Sequence, residues 1–367
     1  MTFNSALTVD DQGVDITAGA VNVNNTVRTL NSGTIEITNS GVLTVPYGST
    51  ITLDGAFLQN GTGTVSLADD IITTDDNVTF TAPVTLAAAV AIDTGTGGGT
   101  IAFHSTLNGD QDLTLTAGTG NIDFDAAVGL TTRLGILTII SAEDLTADSS
   151  INATSIVQQV GSGTTTFSGA VNTSTGAGVS ITGTNLQITG SVTTTADGVF
   201  TVNNTGTALF SAAGDISADG SVSLTALGGI QTAGDITTTN DNVTLVSATT
   251  LTGAVAIDTG TGAGTIAFNN SLNGGYNLTL AAGTGNIHFD ATVGQSTPLA
   301  RLQIVSVADA TFDAAVSAGN FVQNAGTGTT TFTGILTTLQ LAGVSVSGIQ
   351  LRVSAGITTS GAGTVTV

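Results

Sequence analysis

Apolar and small polar residues alternate along most of this chain. Thr100-Ile101-Ala102-Phe103, Asn121-Ile122-Asp123-Phe124, Asn77-Val78-Thr79-Phe80 and Val179-Ser180-Ile181 each place a large side chain at every second position. A period of two is that of a half-buried β-strand, with one face on a core and the other in water. Gly, Asn and Asp clusters such as Thr94-Gly95-Thr96-Gly97-Gly98-Gly99 interrupt the alternation every few residues and supply turns. No window sustains apolar spacing at i, i+3, i+4 and i+7, so the pattern predicts short strands and essentially no long helix.

The chain of 367 residues also matches itself, without gaps, at an offset of 165 residues. Ala89 to Phe103 (AVAIDTGTGGGTIAF) aligns with Ala254 to Phe268 (AVAIDTGTGAGTIAF), Leu113 to Gly129 with Leu278 to Gly294, and Gly161 to Gly169 (GSGTTTFSG) with Gly326 to Gly334 (GTGTTTFTG). The register persists to the edges, so residues 1–202 align with 166–367 and the expectation is one continuous array over 1–367. Short strands with a long repeat fit a sandwich array, a propeller or a solenoid. Tandem sandwiches bring linkers and aromatic core anchors, and propellers bring Trp-bearing blades of ~40 residues; neither feature is present.

A solenoid accounts for the pattern better, because inward Val, Ile, Leu and Phe stack on their counterparts one coil away while outward Thr and Asn form ladders. At roughly 20 to 23 residues per coil the chain holds about 17 coils, eight or so in each repeat. A spacing of ~4.8 Å between coils makes a rod on the order of 80 Å long. Neither terminus offers an amphipathic helix or a charged cap, which predicts uncapped ends.

Composition narrows the function classes. Charged residues are 8% of the chain, against about 25% in ordinary soluble domains; lysine, tryptophan and cysteine are absent and four arginines are the only strong bases. The net charge of −22 comes from scattered single acids, a dilute anionic coat that disfavours nucleic acid and anionic lipid. Apolar runs such as Leu134 to Ile140 fall far short of the ~20 residues of a spanning helix. Two tyrosines and no tryptophan leave nothing for the aromatic girdles of an outer-membrane barrel, so no membrane insertion is expected. The opening residues MTFNSALTVDD carry neither a basic nor an apolar signal region.

Tracts such as GNIDF, GTGTTTFTG, GVSITGTNLQITG and SLTALGGIQTAGDI resemble the repeat regions of filamentous-haemagglutinin-like exoproteins and giant bacterial adhesins, and the likeness covers nearly the whole chain. That resemblance implies a right-handed parallel β-helix, export to the bacterial surface, and adhesion or cell-to-cell contact. It carries over no catalytic residue, and the family's secretion-recognition domain is not evident.

Candidate chemistry is sparse. His104 aligns with Asn269 and His288 with Asp123, both at outward positions, and a general base needs a positioned partner that neither site offers in sequence. Arg28, Arg133, Arg301 and Arg352 are dispersed, whereas a β-helix lyase clusters Arg or Lys with acids to neutralise an abstracted carbon acid. Seven aspartate pairs recur between copies: Asp54/Asp219, Asp70/Asp235, Asp76/Asp241, Asp93/Asp258, Asp125/Asp290, Asp144/Asp309 and Asp148/Asp313. Asp54 to Asp76 and Asp70 to Asp93 are about one coil apart, so these carboxylates are expected near one another on adjacent coils. Two readings stay open for the pairs: turn residues satisfying backbone N–H groups, or ligands of a hard cation such as Ca²⁺. The threonine tracts 164–166, 193–195, 237–239 and 329–331 raise an ice-matching face as a further alternative. Phe103/Phe268, Phe124/Phe289 and Phe167/Phe332 read as core stacking.

The expectation is therefore an all-β, right-handed parallel β-helix forming a structural and adhesive stalk segment of a large secreted or surface-displayed bacterial adhesin. No catalytic, cofactor-binding or metal residue is assigned. The expected partner is a glycan or protein on another cell, with end-to-end self-association as a further property. The alternatives are a self-assembling sheath or filament protein and a carbohydrate-binding or lyase-type β-helix.

Overall fold

The computed structural model describes residues 1–360 and 363–367. All regular structure among them is β, and the chain is a β-solenoid of about 17 turns built from parallel strands. Contacts divide it into two compact units, Met1–Ser174 with Ser180–Asn185, and Thr175–Val179 with Leu186–Val367.

Within the first unit a coil is three short strands joined by turns, for example Val84–Leu86, Val90–Asp93 and Ile101–Phe103. Each pairs in parallel with its counterpart on the next coil: Leu107–Asn108, Leu113–Thr116 and Ile122–Phe124. Val78, Ile101, Ile122 and Leu145 thus lie one above the next, at sequence steps of 23, 21 and 23 residues. The second unit repeats the series at Val243, Ile266, Ile287 and Ala310, again with steps of 23, 21 and 23. Coil length varies mostly in the turns, although a register shift also falls within the strands between Leu115 and Thr116 and between Leu280 and Ala281, the equivalent place in each copy.

Alternation then decides what is inside. Strands of three residues bury the first and third side chains and leave the middle one toward water, as in Val65–Leu67, Val78–Phe80 and Ile287–Phe289. Parallel, in-register stacking sets each inward residue on its counterpart ~4.8 Å away, a spacing that suits offset-stacked rings. Twelve of the thirteen phenylalanines are fully buried. Ring centroids are 5.3 Å apart for Phe80–Phe103 and 5.5 Å for Phe103–Phe124. In the second unit Phe268, Phe289, Phe312 and Phe332 form a longer stack at 4.8, 4.8 and 4.6 Å. The first unit breaks its stack at Ala147, which lies in register between Phe124 and Phe167.

The expected outward ladders hold in part. Asn172 Nδ2 donates to Asn152 Oδ1 at 3.0 Å on adjacent coils. The middle residue of each threonine tract, however, turns inward: Thr165, Thr194, Thr238 and Thr330 are buried. The period of two requires it, since Phe167 and Phe332 face the core and Thr165 and Thr330 stand two residues before them. Their hydroxyls are satisfied inside. Thr165 Oγ1 donates to Gln158 Oε1 at 2.7 Å and Thr330 Oγ1 to Gln323 Oε1 at 2.6 Å.

Buried amides show what such stacking demands. Gln59 Nε2 donates to Asn39 Oδ1 at 2.8 Å, and Gln59 Oε1 accepts from the Ala82 N–H at 3.1 Å. The repeat equivalent of Asn39 is Asn204, opposed in register by Ala226, and both of its amide atoms are buried without a hydrogen-bond partner. Close approach is equally strict at Gly129 and Gly294, whose φ values are +67° and +69°. A Cβ at either would sit 2.0 Å from a carbonyl oxygen, that of Asn152 or Ser317.

Removing one ring from the longer stack tests the packing. Phe289→Ala is expected to cost about 3–5 kcal/mol in urea unfolding, whereas Leu227→Ala at an exposed turn stays within about 0.5 kcal/mol. Equal effects of the two substitutions would contradict this account of the core.

Candidate functional site

Side-chain chemistry gathers at the corners, where the chain leaves one strand for the next and N–H groups lose their ladder partners. Most recurring aspartates are spent there. Asp54 Oδ2 accepts from the Ser32 N–H at 2.9 Å, and Asp219 Oδ2 from the Asp197 N–H at 3.0 Å. Asp70 and Asp235 accept from Ala91 N–H and Ala256 N–H, both at 2.7 Å. Asp144 and Asp309 accept from Thr164 N–H and Thr329 N–H, both at 2.6 Å. In these three pairs the donor lies on a neighbouring coil, so the carboxylate clasps two coils together. Asp93 and Asp258 instead close their own turns onto Gly95 N–H and Gly260 N–H at 2.8 Å. Geometry therefore supports the turn reading for these four pairs. Among the described residues no three His, Cys, Asp or Glu side chains converge as a metal-holding group.

Asp69, which has no acidic repeat counterpart, is the most heavily bonded acid. It accepts from the N–H groups of Gly48, Ser49 and Asp70 and from Thr50 Oγ1, at 2.7 Å for Ser49, 2.8 Å for Asp70 and 2.9 Å for Thr50. Burial alone would push its pKa up, but these bonds outweigh burial and hold it below the usual aspartate value. Asp219 is likewise held low, first by the Asp197 N–H and then by the Thr239 hydroxyl.

Elsewhere carboxylates crowd one another. Burial, then the charges of Asp54 and Asp75, push Asp76 up. Asp123 is pushed up by burial and then by Asp125, with His104 opposing and Asp148 and Asp144 adding to the rise. Asp54 and Asp76 are thus neighbours across adjacent coils, as their spacing predicted. His104 differs from expectation: its Nδ1 lies 2.6 Å from Asp125 Oδ2, with both side chains about half exposed. That partner stands 21 residues on, one coil step, and becomes visible in sequence only once the register is known. His288 stays partly exposed on the strand Ile287–Phe289.

Among the arginines, Arg133 Nη1 donates to the carbonyls of Ala153 and Asn172 at 2.9 and 2.8 Å, bridging successive coils. Arg28 is exposed and makes no ion pair among the described residues. It lines a groove of about 310 Å³ with Asp10, Asn31, Thr52, Asp54 and Thr74. Sequence reading had left Arg28 isolated, because its acids stand 18 residues before it and 26 after it, neither spacing being one coil.

No protein-family model, no curated protein and no solved structure matches this chain.

The two kinds of aspartate give opposite pH responses. Asp76 and Asp123 have folded pKa values above the ordinary 3.8, so their strain is present at neutral pH and relieved as pH falls through those raised values. Asp69 lies below 3.8, so its contribution is present at neutral pH and lost as pH falls through its lowered value. Asp76→Asn is expected to raise stability at pH 7 and to change it little at pH 3. Asp69→Asn is expected to lower stability at pH 7 by about 1–3 kcal/mol, an effect that shrinks in strong acid. Urea titrations across pH check both signs.

Proposed function

We propose that this chain is a structural and adhesive segment of a large secreted or surface-displayed bacterial protein, a non-catalytic stalk that presents its surface to a glycan or protein on another cell. The observation that carries this reading is where the side chains are used. Inward positions go to a continuous stack of aliphatic and aromatic residues, and recurring corner carboxylates go to the backbone of the neighbouring coil. What the sequence maintains from copy to copy is thus the stack itself and the distance it spans. The resemblance of its tracts to giant-adhesin repeats supports the same reading, and the dilute negative charge of −22 suits an extracellular setting away from nucleic acid and anionic lipid.

Incubation of the purified chain with a glycan array and with intact bacterial and eukaryotic cells tests the proposal. Saturable binding that one sugar or surface competes away is the expected result. Absence of saturable binding to every glycan and cell would remove the adhesive part and leave a spacer.

A further inference from the structure

The groove around Arg28 is built by three successive coils of the first unit. Thr8, Arg28 and Thr52 lie in register, and Asp10 lies in register with Leu30 on the coil of Arg28. Asp54 follows Thr52 by two residues on the third coil. The two carboxylates therefore stand on the outer coils, roughly two strand spacings or ~10 Å apart, with Leu30 and the guanidinium on the coil between them. Each carboxylate is held by one bond: Asn31 Nδ2 donates to Asp10 Oδ1 at 2.5 Å, and the Ser32 N–H to Asp54 Oδ2. Both acids line the groove, and Arg28 pairs with neither.

The second copy supplies an internal control. At the equivalent corner the backbone is unchanged: Asn31 and Ser32 have φ of 54° and 64°, Ala196 and Asp197 have 57° and 58°. Thr29 Oγ1 closes the turn onto Gly33 O, and Thr194 Oγ1 does the same onto Gly198 O. The aspartate cap is kept as Asp54 and Asp219. What the second copy does not keep is the lining: Arg28 and Asn31 become Thr193 and Ala196, and Ser174 stands at the strand position of Asp10, one residue off the 165 offset. The second copy forms the same corner without these three side chains, so the turn itself does not require them.

We infer that the Arg28 groove binds a neutral sugar unit of a glycan, resting on the adhesive reading above and naming its contact. Acceptors on the two walls suit hydroxyl donors on opposite sides of one ring, the guanidinium supplies donors for hydroxyl or ring oxygens, and Leu30 offers an apolar floor to a C–H face. The two acids against one base disfavour an acidic sugar. A volume of about 310 Å³ sits at the small end of ligand clefts, enough for one ring.

Saturation-transfer NMR on the full chain, with methyl glycosides of neutral hexoses and N-acetylhexosamines as probes, tests this. Arg28→Thr and Asp10→Ser introduce the residues that the second copy carries at these strand positions, and melting temperature verifies that both fold. The expected result is transfer to at least one neutral glycoside that falls several-fold in both variants and persists in Arg352→Thr, an exposed arginine outside the groove. Absence of transfer to every probe, or equal transfer in wild type and Arg28→Thr, would overturn the assignment. Transfer from a chain that binds no cell supports the groove and counts against the adhesive reading. Cell binding without any transfer overturns the groove and leaves adhesion to another surface.

Discussion

Everything in this molecule follows from residues stacking in parallel register on the coil below. Each strand satisfies its backbone with the coils before and after it, so an inward side chain has its closest partner fixed at ~4.8 Å. The core is consequently a set of columns, and a residue has to suit its column as well as the interior. Phenylalanine on phenylalanine does, at 4.6 to 5.5 Å in the stacked pairs. An amide succeeds only when the next coil offers a complementary group. Asn39 has Gln59, and Asn204, with Ala226 opposite, has none.

The corners obey the complementary constraint. Register steps run from 19 residues (Val65 to Val84) to 24 (Leu113 to Leu137), and apart from bulges such as that at Leu115/Thr116 the adjustments fall on turns whose N–H groups need acceptors. Short Asp and Asn side chains meet that need from the neighbouring coil, which is why so many of the 26 acids recur and why the surface is negative. Charge is incidental to the bond. Asp75 Oδ1 accepts from Gly97 N–H at 2.5 Å, and its counterpart Asn240 accepts from Gly262 N–H at the same distance. Where the ionised version is used close to other caps, as at Asp54, Asp75 and Asp76, the carboxylates repel.

The strand period, the repeat and the inward phenylalanines were legible in the sequence because each is a local or translational regularity. Buried threonines were equally readable in principle, two positions from an inward Phe, but their polarity argued for the outside. Contacts between unlike residues on different coils were hidden. His104 with Asp125, and Arg28 between Asp10 and Asp54, depend on register to the single residue, and coil length drifts by enough to scramble any fixed spacing. Carboxylates that clasp neighbouring coils read as ordinary turn residues for the same reason: the acceptor is visible in sequence, while the donor is 20 to 22 residues away.

Two copies of one sequence on the same type of coil separate what the fold requires from what it tolerates. Asp70/Asp235, Asp93/Asp258 and Asp144/Asp309 keep both identity and bond, and they explain the coil. Asp10, Arg28, Asp110, Asp112 and Glu143 are replaced by Ser174, Thr193, Gly275, Asn277 and Ala308, and the second copy still folds without them. In the first copy Asp112 still accepts from the Ile136 N–H at 2.7 Å and Asp10 from Asn31, so divergent acids serve the coil on which they stand without being needed by the fold in general. The divergent residues, rather than the recurring ones, are therefore the positions that the coil leaves free to vary. Among them Arg28 lines a groove together with Asp10 and Asp54, two acids on the coils to either side.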